Sequence, residues 1–262
     1  MGYFNKGNYA HEVFHGYYHL VQAGFEPGSE EIWAALLEKM KRDLKVDTDP
    51  ALISVYGIIT RMISRFVHEQ SPKIDQGITV LNVEQQIIYP MEDYAMFGYA
   101  DLVYRDSSGR LHIRDHKTGD KAQTKLDAQF SNQLLYYSSI IYKTTGEIPV
   151  AELSYLNTKE YVKKVVKPED AFVFSQVSYS ARELDIYFSE ICTIIEKMLY
   201  STPLPHYGQQ CRWCPFQTPC FLSRKGIDPT PILNMHYEHV PRDKSGRYAR
   251  FTESDAATDS TD

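Results

Sequence analysis

The fold of this 262-residue chain is decided by residues 98–119, GYADLVYRDSSGRLHIRDHKTG. Apolar and polar residues alternate on both sides of DSSG, and an alternation with a period of two is typical of β-strands. The segment therefore predicts an antiparallel hairpin. On its second strand Asp115 and Lys117 share one face, because the side chains of a strand point alternately to its two sides.

The turn determines which residues of the two strands face each other. A symmetric two-residue loop would pair Asp101 with Arg114, and Asp101 would then point away from Asp115. A three-residue loop over residues 107–109, made by a type I turn from Asp106 with the glycine in a left-handed conformation, pairs Asp101 with Asp115 instead. The residues of DSSG suit the three-residue loop.

Two facing carboxylates repel each other unless a hard divalent cation lies between them. The pair Asp101 and Asp115 therefore predicts a magnesium or manganese site. Lys117 could then neutralise a phosphate oxygen or lower the pKa of a metal-bound water, which is the chemistry of phosphodiester hydrolysis. A surface hairpin with a salt bridge between Asp115 and Lys117 remains the alternative at this point.

The flanking sequence predicts a mixed α/β fold. Residues 8–70 show helical periodicity, broken at residues 27–28 and 47–50, and the period changes to two from Ile78. A helix is predicted over residues 124–144, with one apolar face formed by Phe130, Leu134, Tyr137 and Ile141. Short strands are predicted in VAELSYLNT, YVKKVVK and AFVFSQV. Ser180 and Glu183 form a capping box ahead of a long helix that is predicted to end near Tyr200.

The composition excludes several classes of protein. Hydrophobic residues make up 43% and charged residues 24% of the chain, which is ordinary for a globular protein, and no apolar run is long enough to span a bilayer. No membrane association is expected. The first residues lack the features of a signal peptide, so we expect a cytoplasmic protein. The net charge of −6 includes −4 from residues 251–262, so the remaining residues carry only −2 and a nucleic-acid partner is not excluded.

Beyond these patterns, GYAD followed by a hairpin and DHKTG resembles the core of the PD-(D/E)xK nucleases. The resemblance is to the RecB-like branch, which includes the AddB nuclease domain and the CRISPR-associated and phage RecB-like exonucleases. It implies a restriction-endonuclease-like core with a mixed central sheet flanked by helices. The implied catalytic residues are Asp101, Asp115, Lys117, Glu84 on the first strand, and Gln133 and Tyr137 in a Q-x-x-x-Y element. The G-x-x-x-H element ends at His11, which the resemblance makes a metal ligand together with Asp101 and Asp115.

The four cysteines of the chain also enter the resemblance. Three of them crowd into CRWCPFQTPC, which favours a metal or cluster site over disulfides. Cys211, Cys214 and Cys220 have the C-x2-C-x5-C spacing with which RecB-like nucleases hold a 4Fe-4S cluster. The fourth ligand of that cluster precedes the G-x-x-x-H element, and no cysteine precedes Gly7 here, so three of the four expected cysteines are present.

The resemblance implies a metal-dependent DNA exonuclease that acts in recombination, repair, or phage or CRISPR DNA processing. The expected partners are DNA and a recombination, helicase or CRISPR-adaptation protein. We expect a nuclease domain over residues 1–225 and an extended or disordered acidic tail over residues 226–262. Two alternatives stay open. Residues 11–15, HEVFH, match the H-E-x-x-H helix of zinc proteases, and a nuclease-like fold could bind DNA or a partner without cutting.

Overall fold

The computed structural model describes residues 6–46, 50–92, 94–119, 125–157, 172–200 and 208–238. These residues form two compact units, the first within residues 1–91 and 95–191 and the second within residues 92–94 and 192–262. The division into a nuclease domain over residues 1–225 and a tail over residues 226–262 stays a prediction. None of the described helices is long and apolar enough to cross a membrane.

The first unit begins with helices, as the periodicity predicts. They are α1 (Lys6–Gln22), α2 (Glu30–Val46), α3 (Pro50–Arg65), a π-helical turn (Phe66–Gln70) and α4 (Ser71–Ile74). Their apolar faces form a core in which Tyr17 and Ile32 have no exposed surface. Gly28 lies in the connection between α1 and α2 and has a φ of +84°. A Cβ atom at this position would lie 2.4 Å from Pro72, so a side chain does not fit. The predicted break at Pro27 and Gly28 is thus confirmed.

A five-stranded sheet packs against these helices. Its strands are β1 (Thr79–Pro90), β2 (Ala95–Arg105), β3 (Leu111–Gly119), β4 (Val150–Asn157) and β5 (Phe172–Ser178), and they lie side by side in that order. All neighbours are antiparallel except β3 and β4. Parallel neighbours need a crossover, and two helices provide it, α5 (Lys125–Gln129) and α6 (Asn132–Thr145). The predicted mixed α/β fold is confirmed.

The register of the β2–β3 hairpin is the one that the three-residue loop predicts. Leu102 pairs with Arg114 and Arg105 pairs with Leu111, so the same register sets Asp101 opposite Asp115. The turn has the expected hydrogen bonds, since Gly109 N donates to Asp106 O over 2.9 Å and Asp106 N donates to Arg110 O over 3.1 Å. Gly109 has a φ of +82°, which places it in the left-handed region as predicted.

The predicted extent of one helix was wrong. Instead of one helix over residues 124–144, the structure has α5 and α6 with a break at Phe130, whose surface is 77% exposed. The break arises because Ser131 caps α6, its side chain accepting a hydrogen bond from Leu134 N over 3.3 Å. Phe130 therefore does not share the apolar face of Leu134 and Tyr137.

The C-terminal part begins with α7 (Ala181–Tyr200), whose capping box is confirmed by hydrogen bonds between Ser180 and Glu183. In the second unit a short 3-10 turn (Gln209–Arg212) precedes α8 (Gln217–Arg224) and α9 (Thr230–His236). The expectation of an extended segment beyond Gly226 is therefore wrong for α9. Just before that helix, Asp228 accepts a hydrogen bond from Thr230 N over 3.0 Å. The predicted strand YVKKVVK and residues 239–262 lie outside the described residues.

Candidate active site

The hairpin brings Asp101 and Asp115 to the point in the sheet at which β2 and β3 stop pairing. Asp115 lies on the side of β3 that faces α6 and is 2% exposed. Asp101 accepts a hydrogen bond from His116 N over 2.7 Å through its Oδ2 atom. The two carboxylates therefore belong to one constellation, which the strand register and the turn of the hairpin create together.

Lys117 connects this pair to helix α6. Its Nζ lies 2.8 Å from Asp115 Oδ2 and donates a hydrogen bond to Gln133 Oε1 over 2.7 Å. Gln133 Nε2 in turn donates to the hydroxyl of Tyr137 over 3.0 Å. Because residues four apart lie on one face of a helix, Gln133 and Tyr137 reach the site together. The structure thus joins the Q-x-x-x-Y element to the lysine.

His11 and Glu84 complete the constellation from two other elements. His11 Nδ1, near the start of α1, lies 3.4 Å from Asp101 Oδ2. One potential ligand atom each of His11, Glu84 and Asp101 lies within 4.8 Å of the other two. Among the described residues no other set of three histidine, cysteine or acidic side chains meets this condition. The sequence resemblance pointed to all three residues.

Glu84 has an unusual backbone conformation. Its φ is +53°, the only positive φ of a non-glycine residue in the described part of the chain. Its neighbours Val83 and Gln85 pair with Leu102 and Ala100, so Glu84 lies opposite Asp101. Left-handed conformations of side-chain-bearing residues are strained and cluster at functional sites. This conformation could not be inferred from a strand that otherwise alternates regularly.

The electrostatics of the site favour a bound cation. Burial raises the pKa of Asp115 to about 6, against the lowering effect of the Lys117 ammonium. Burial also raises the pKa of Glu84, with a further contribution from the charge of Asp101. Burial also acts to raise the pKa of Asp101, but the contact of Asp101 with His11 outweighs it and brings that pKa below the usual value. Asp115 and Glu84 thus resist ionisation unless positive charge is added, whereas Asp101 ionises readily beside His11.

The surroundings of Asp115 Oδ2 support the same interpretation. Asp115 Oδ2 is buried and has no partner with hydrogen-bond geometry among the described residues, although the Lys117 ammonium is near it. A buried acceptor without a hydrogen bond is costly and calls for an explanation. Carboxylate oxygens and one imidazole form a donor set that fits magnesium or manganese. The side chains that the structure groups for such a cation are His11, Glu84 and Asp101. Asp115, which the resemblance made a ligand, is not in that group, although the strand register sets it opposite Asp101.

Comparison with known proteins decides the family. The sequence profile of the PD-(D/E)XK nuclease superfamily matches residues 3–221. The chain belongs to this superfamily. The match does not distinguish the RecB-like branch, which stays a prediction for this nuclease. A search of curated proteins found no match. One solved structure, described as "Crystal structure of SSO0001", is 12% identical, with 79% of this chain and 82% of that chain covered and a TM-score of 0.33.

The opposite side of β3 carries a buried charge network that sequence reasoning missed. Arg114 has no exposed side-chain surface and contacts Asp75 over 2.6 Å and Glu152 over 2.7 Å. The hydroxyls of Tyr18 and Tyr104 also accept hydrogen bonds from its guanidinium. The only signal in the sequence was the alternation of LHIRDHK, which placed Arg114 on the face away from Asp115. The network anchors β3 of the nuclease to α1, α4 and β4.

His116 joins α1 to the strand that carries the catalytic candidates. Its ring stacks on Phe14 with a centroid distance of 4.5 Å, and Nδ1 is hydrogen-bonded to Ser154 Oγ. Burial lowers the pKa of His116 to about 3, so the ring is neutral at physiological pH. Because His116 N donates to Asp101, this packing also helps to position the Asp101 carboxylate against His11.

The zinc-protease alternative finds no support in the geometry. Glu12, which would be the general base, forms an ion pair with Lys39 over 2.7 Å. His15 Nε2 lies 2.9 Å from His19 Nε2, and the ligand group found in the described residues joins His11 to Glu84 and Asp101 instead. HEVFH is therefore not assembled as a metal site, and the family match agrees with a nuclease.

The 4Fe-4S prediction also lacks support. Cys211, Cys214 and Cys220 lie around the 3-10 turn and in α8 of the second unit. Their sulfur atoms do not form a group of ligands within 4.8 Å of one another among the described residues, so the thiols do not fit a single zinc ion. Thiolate sites usually use four ligands, and three do not complete such a set.

Proposed function

We propose that this nuclease hydrolyses DNA phosphodiester bonds with a divalent cation held by His11, Glu84 and Asp101, with Asp115 and Lys117 beside it. The observation that carries the proposal is the grouping of His11, Glu84 and Asp101, whose potential ligand atoms lie within 4.8 Å of one another, beside the ion pair of Asp115 with Lys117. Burial raises the pKa of Asp115 to about 6 even though the Lys117 ammonium lies 2.8 Å from its Oδ2 atom, so the carboxylate is stabilised by further positive charge nearby. Perturbed groups of this kind cluster at functional sites.

A bound magnesium or manganese ion would supply a water of lowered pKa and would stabilise the charge that develops on the phosphate. The residues of the chain do the rest. The Lys117 ammonium is held between Asp115 and Gln133 and can contact a phosphate oxygen. Tyr137 holds the Gln133 amide, so that the carbonyl oxygen faces Lys117. Glu84 lies within reach of His11 and Asp101 and adds negative charge to the cation site.

We further propose that the enzyme acts on DNA ends as an exonuclease, in recombination, repair, or phage or CRISPR DNA processing. The support for this finer assignment is the RecB-like pattern of residues in the sequence. A helicase, a recombination protein or a CRISPR-adaptation protein would then be the expected partner. A nuclease-like fold that binds DNA without cutting it is disfavoured, because the lysine, the carboxylates and the histidine all lie in the candidate site.

A cleavage assay on matched DNA substrates tests the proposal. Linear DNA labelled at its ends and a covalently closed circle of the same sequence are incubated with magnesium, manganese or a chelator. Release of label from the linear DNA, with the circle intact, is expected only when metal is present. Cleavage of the circle at the same rate would overturn the exonuclease assignment. Metal-independent cleavage, or none with either metal, would overturn the proposed function.

A further inference from the structure

Gly98, the first residue of GYAD, lies directly against helix α6. A Cβ atom at this position would lie 2.5 Å from Cε1, 3.3 Å from Cδ1 and 3.4 Å from Cζ of the Tyr137 ring. The shortest of these distances is far inside van der Waals contact, because carbon atoms pack about 3.5–4.0 Å apart. Any residue other than glycine would therefore displace the Tyr137 ring or the strand.

The backbone at Gly98 does not itself require a glycine. Gly98 pairs with Ile87 in the β1–β2 ladder, and its φ is not in the left-handed region, unlike the φ of +82° at Gly109. A glycine inside a strand weakens the strand and often marks a close approach of another part of the chain. The contact with Tyr137, and not the backbone conformation, therefore accounts for the glycine.

The Tyr137 ring is enclosed where it meets β2. Tyr137 is 9% exposed, and the hydroxyl of its neighbour Tyr136 donates a hydrogen bond to Phe97 O over 3.2 Å, which holds α6 on the same stretch of strand. To restore ordinary contact with an added Cβ atom, the ring would have to shift by about 1 Å. Because the ring is rigid, its hydroxyl would shift with it.

The Tyr137 hydroxyl ends a chain of hydrogen bonds that can run in only one direction. An ammonium group donates and cannot accept, so Lys117 Nζ donates to Gln133 Oε1, over 2.7 Å. The Gln133 Nε2 group must then point the other way, and it donates to the Tyr137 hydroxyl over 3.0 Å. A shifted hydroxyl would release this end of the amide, and the Gln133 side chain could then rotate away from Lys117.

We propose that Gly98 is a positioning residue of this nuclease. Because it has no side chain, the Tyr137 ring lies against β2, where its hydroxyl keeps the Gln133 carbonyl oxygen turned towards Lys117. Lys117 is thereby held between Gln133 and Asp115, with Nζ 2.7 Å from Gln133 Oε1 and 2.8 Å from Asp115 Oδ2. The inference rests on the proposed function, in which this ammonium contacts a phosphate oxygen.

Cleavage kinetics on end-labelled DNA test the positioning role. Gly98→Ala should lower kcat about tenfold to a hundredfold, on the scale of misplacing a reacting group by about 1 Å. Its affinity for manganese should not change, because the added methyl group meets Tyr137 and none of the cation ligands. The control is Gly57→Ala in α3, where the nearest atom to an added Cβ is 3.6 Å away, and this variant should cleave like the native protein.

A double-mutant cycle with Tyr137→Phe separates positioning from a general disturbance of the strand. Tyr137→Phe keeps the ring but removes the hydroxyl, so by itself it should lower kcat to a similar extent. If Gly98 acts through that hydroxyl, Gly98→Ala should cause little further loss in the Tyr137→Phe background. Losses that multiply, full kcat in Gly98→Ala, an equal loss in Gly57→Ala, or weakened manganese binding in Gly98→Ala would each overturn the inference.

Tyr137→Leu keeps the test valid if Gly98→Ala alone fails to fold. Leucine lacks the ring atoms that the added Cβ atom would meet. Gly98→Ala should therefore lower the melting temperature much less in the Tyr137→Leu background than in the native one. Equal losses in both backgrounds would overturn the inference, because the glycine would then not be accommodating the Tyr137 ring.

The side-chain amide of Gln133 gives a readout that does not depend on cleavage. In protein labelled with nitrogen-15 at glutamine, its NMR signal is assigned by its absence in Gln133→Leu. Gly98→Ala and Tyr137→Phe should both shift this signal, and Gly57→Ala should not. If the signal shifts as expected but the native protein cuts no DNA with magnesium or manganese, only the proposed function falls. If the native protein cuts and the signal stays in place in Gly98→Ala, only the positioning role falls.

Discussion

The two faces of strand β3 differ in how their charged side chains are surrounded. On one face Arg114 is surrounded by Asp75, Glu152 and two tyrosine hydroxyls, and every contact is short. On the other, Asp115 contacts Lys117 over 2.8 Å without hydrogen-bond geometry, and burial raises its pKa to about 6. A complete network stabilises a strand, whereas an incomplete one leaves capacity for a ligand. The comparison indicates that β3 is anchored from one side and reactive on the other.

The largest expected effect is a loss of cleavage on the reactive face of β3, which carries Asp115 and Lys117. Asp115→Asn or Lys117→Ala should reduce cleavage at least about a thousandfold, on the scale of losing a preorganised charge in a site. The melting temperature of Asp115→Asn should stay the same or rise, because a carboxylate that resists ionisation is replaced by a neutral amide. Full activity in either variant, measured on end-labelled DNA, would contradict the assignment of this face.

On the anchoring face of β3, where Arg114 contacts Asp75 and Glu152, the expected effect is on stability. Glu152→Gln should lower the free energy of unfolding by about 3 kcal/mol or more, because Arg114 then keeps a buried charge with one partner fewer. Denaturant unfolding measures it. The control is Glu147→Gln, which removes the exposed ion pair with Arg105 at 2.9 Å and should cost less than about 1 kcal/mol. Equal costs for the two variants would show that burial of the network is not what stabilises β3.

A smaller effect is expected at the edge of the reactive face. His11→Ala should weaken manganese binding about tenfold or more, since a ligand of the proposed cation site is lost. Glu12→Gln and His15→Ala should change it little, because those side chains contact Lys39 and His19. Calorimetric titration of the three variants with manganese measures these changes in affinity. Equal losses from all three would restore the zinc-protease interpretation of HEVFH.

The smallest expected effect is a pH dependence of the anchoring face. Although burial acts in the opposite direction, Arg114 and the hydrogen bonds lower the pKa of Glu152 from 4.5 to about 2. A lowered pKa stabilises the folded state above the unfolded value and loses that contribution as pH falls through the folded one. The stability difference between the parent and Glu152→Gln should therefore shrink from pH 4.5 towards pH 2. A constant difference, measured by denaturant unfolding, would contradict a charged Glu152.

Much of the candidate site was accessible from the sequence because its signals are local. The chemistry of DSSG predicted the turn, and the turn predicted that Asp101 faces Asp115. The spacing of Gln133 and Tyr137 placed them on one helix face. The break at Phe130 was missed, because the apolar periodicity continues across it while the capping by Ser131 is a competing local preference.

The sequence by itself determined the hairpin, its register and the pattern of elements, since turn geometry and alternation depend on residues that are neighbours along the chain. Only the tertiary structure decided that His11 approaches Asp101, that Glu84 adopts a left-handed conformation, and that Arg114 is neutralised from both sides. Asp75 and Glu152 are 39 and 38 residues away from Arg114 along the chain. Burial makes such distant charges interact strongly, and burial exists only after the helices and the sheet have packed together.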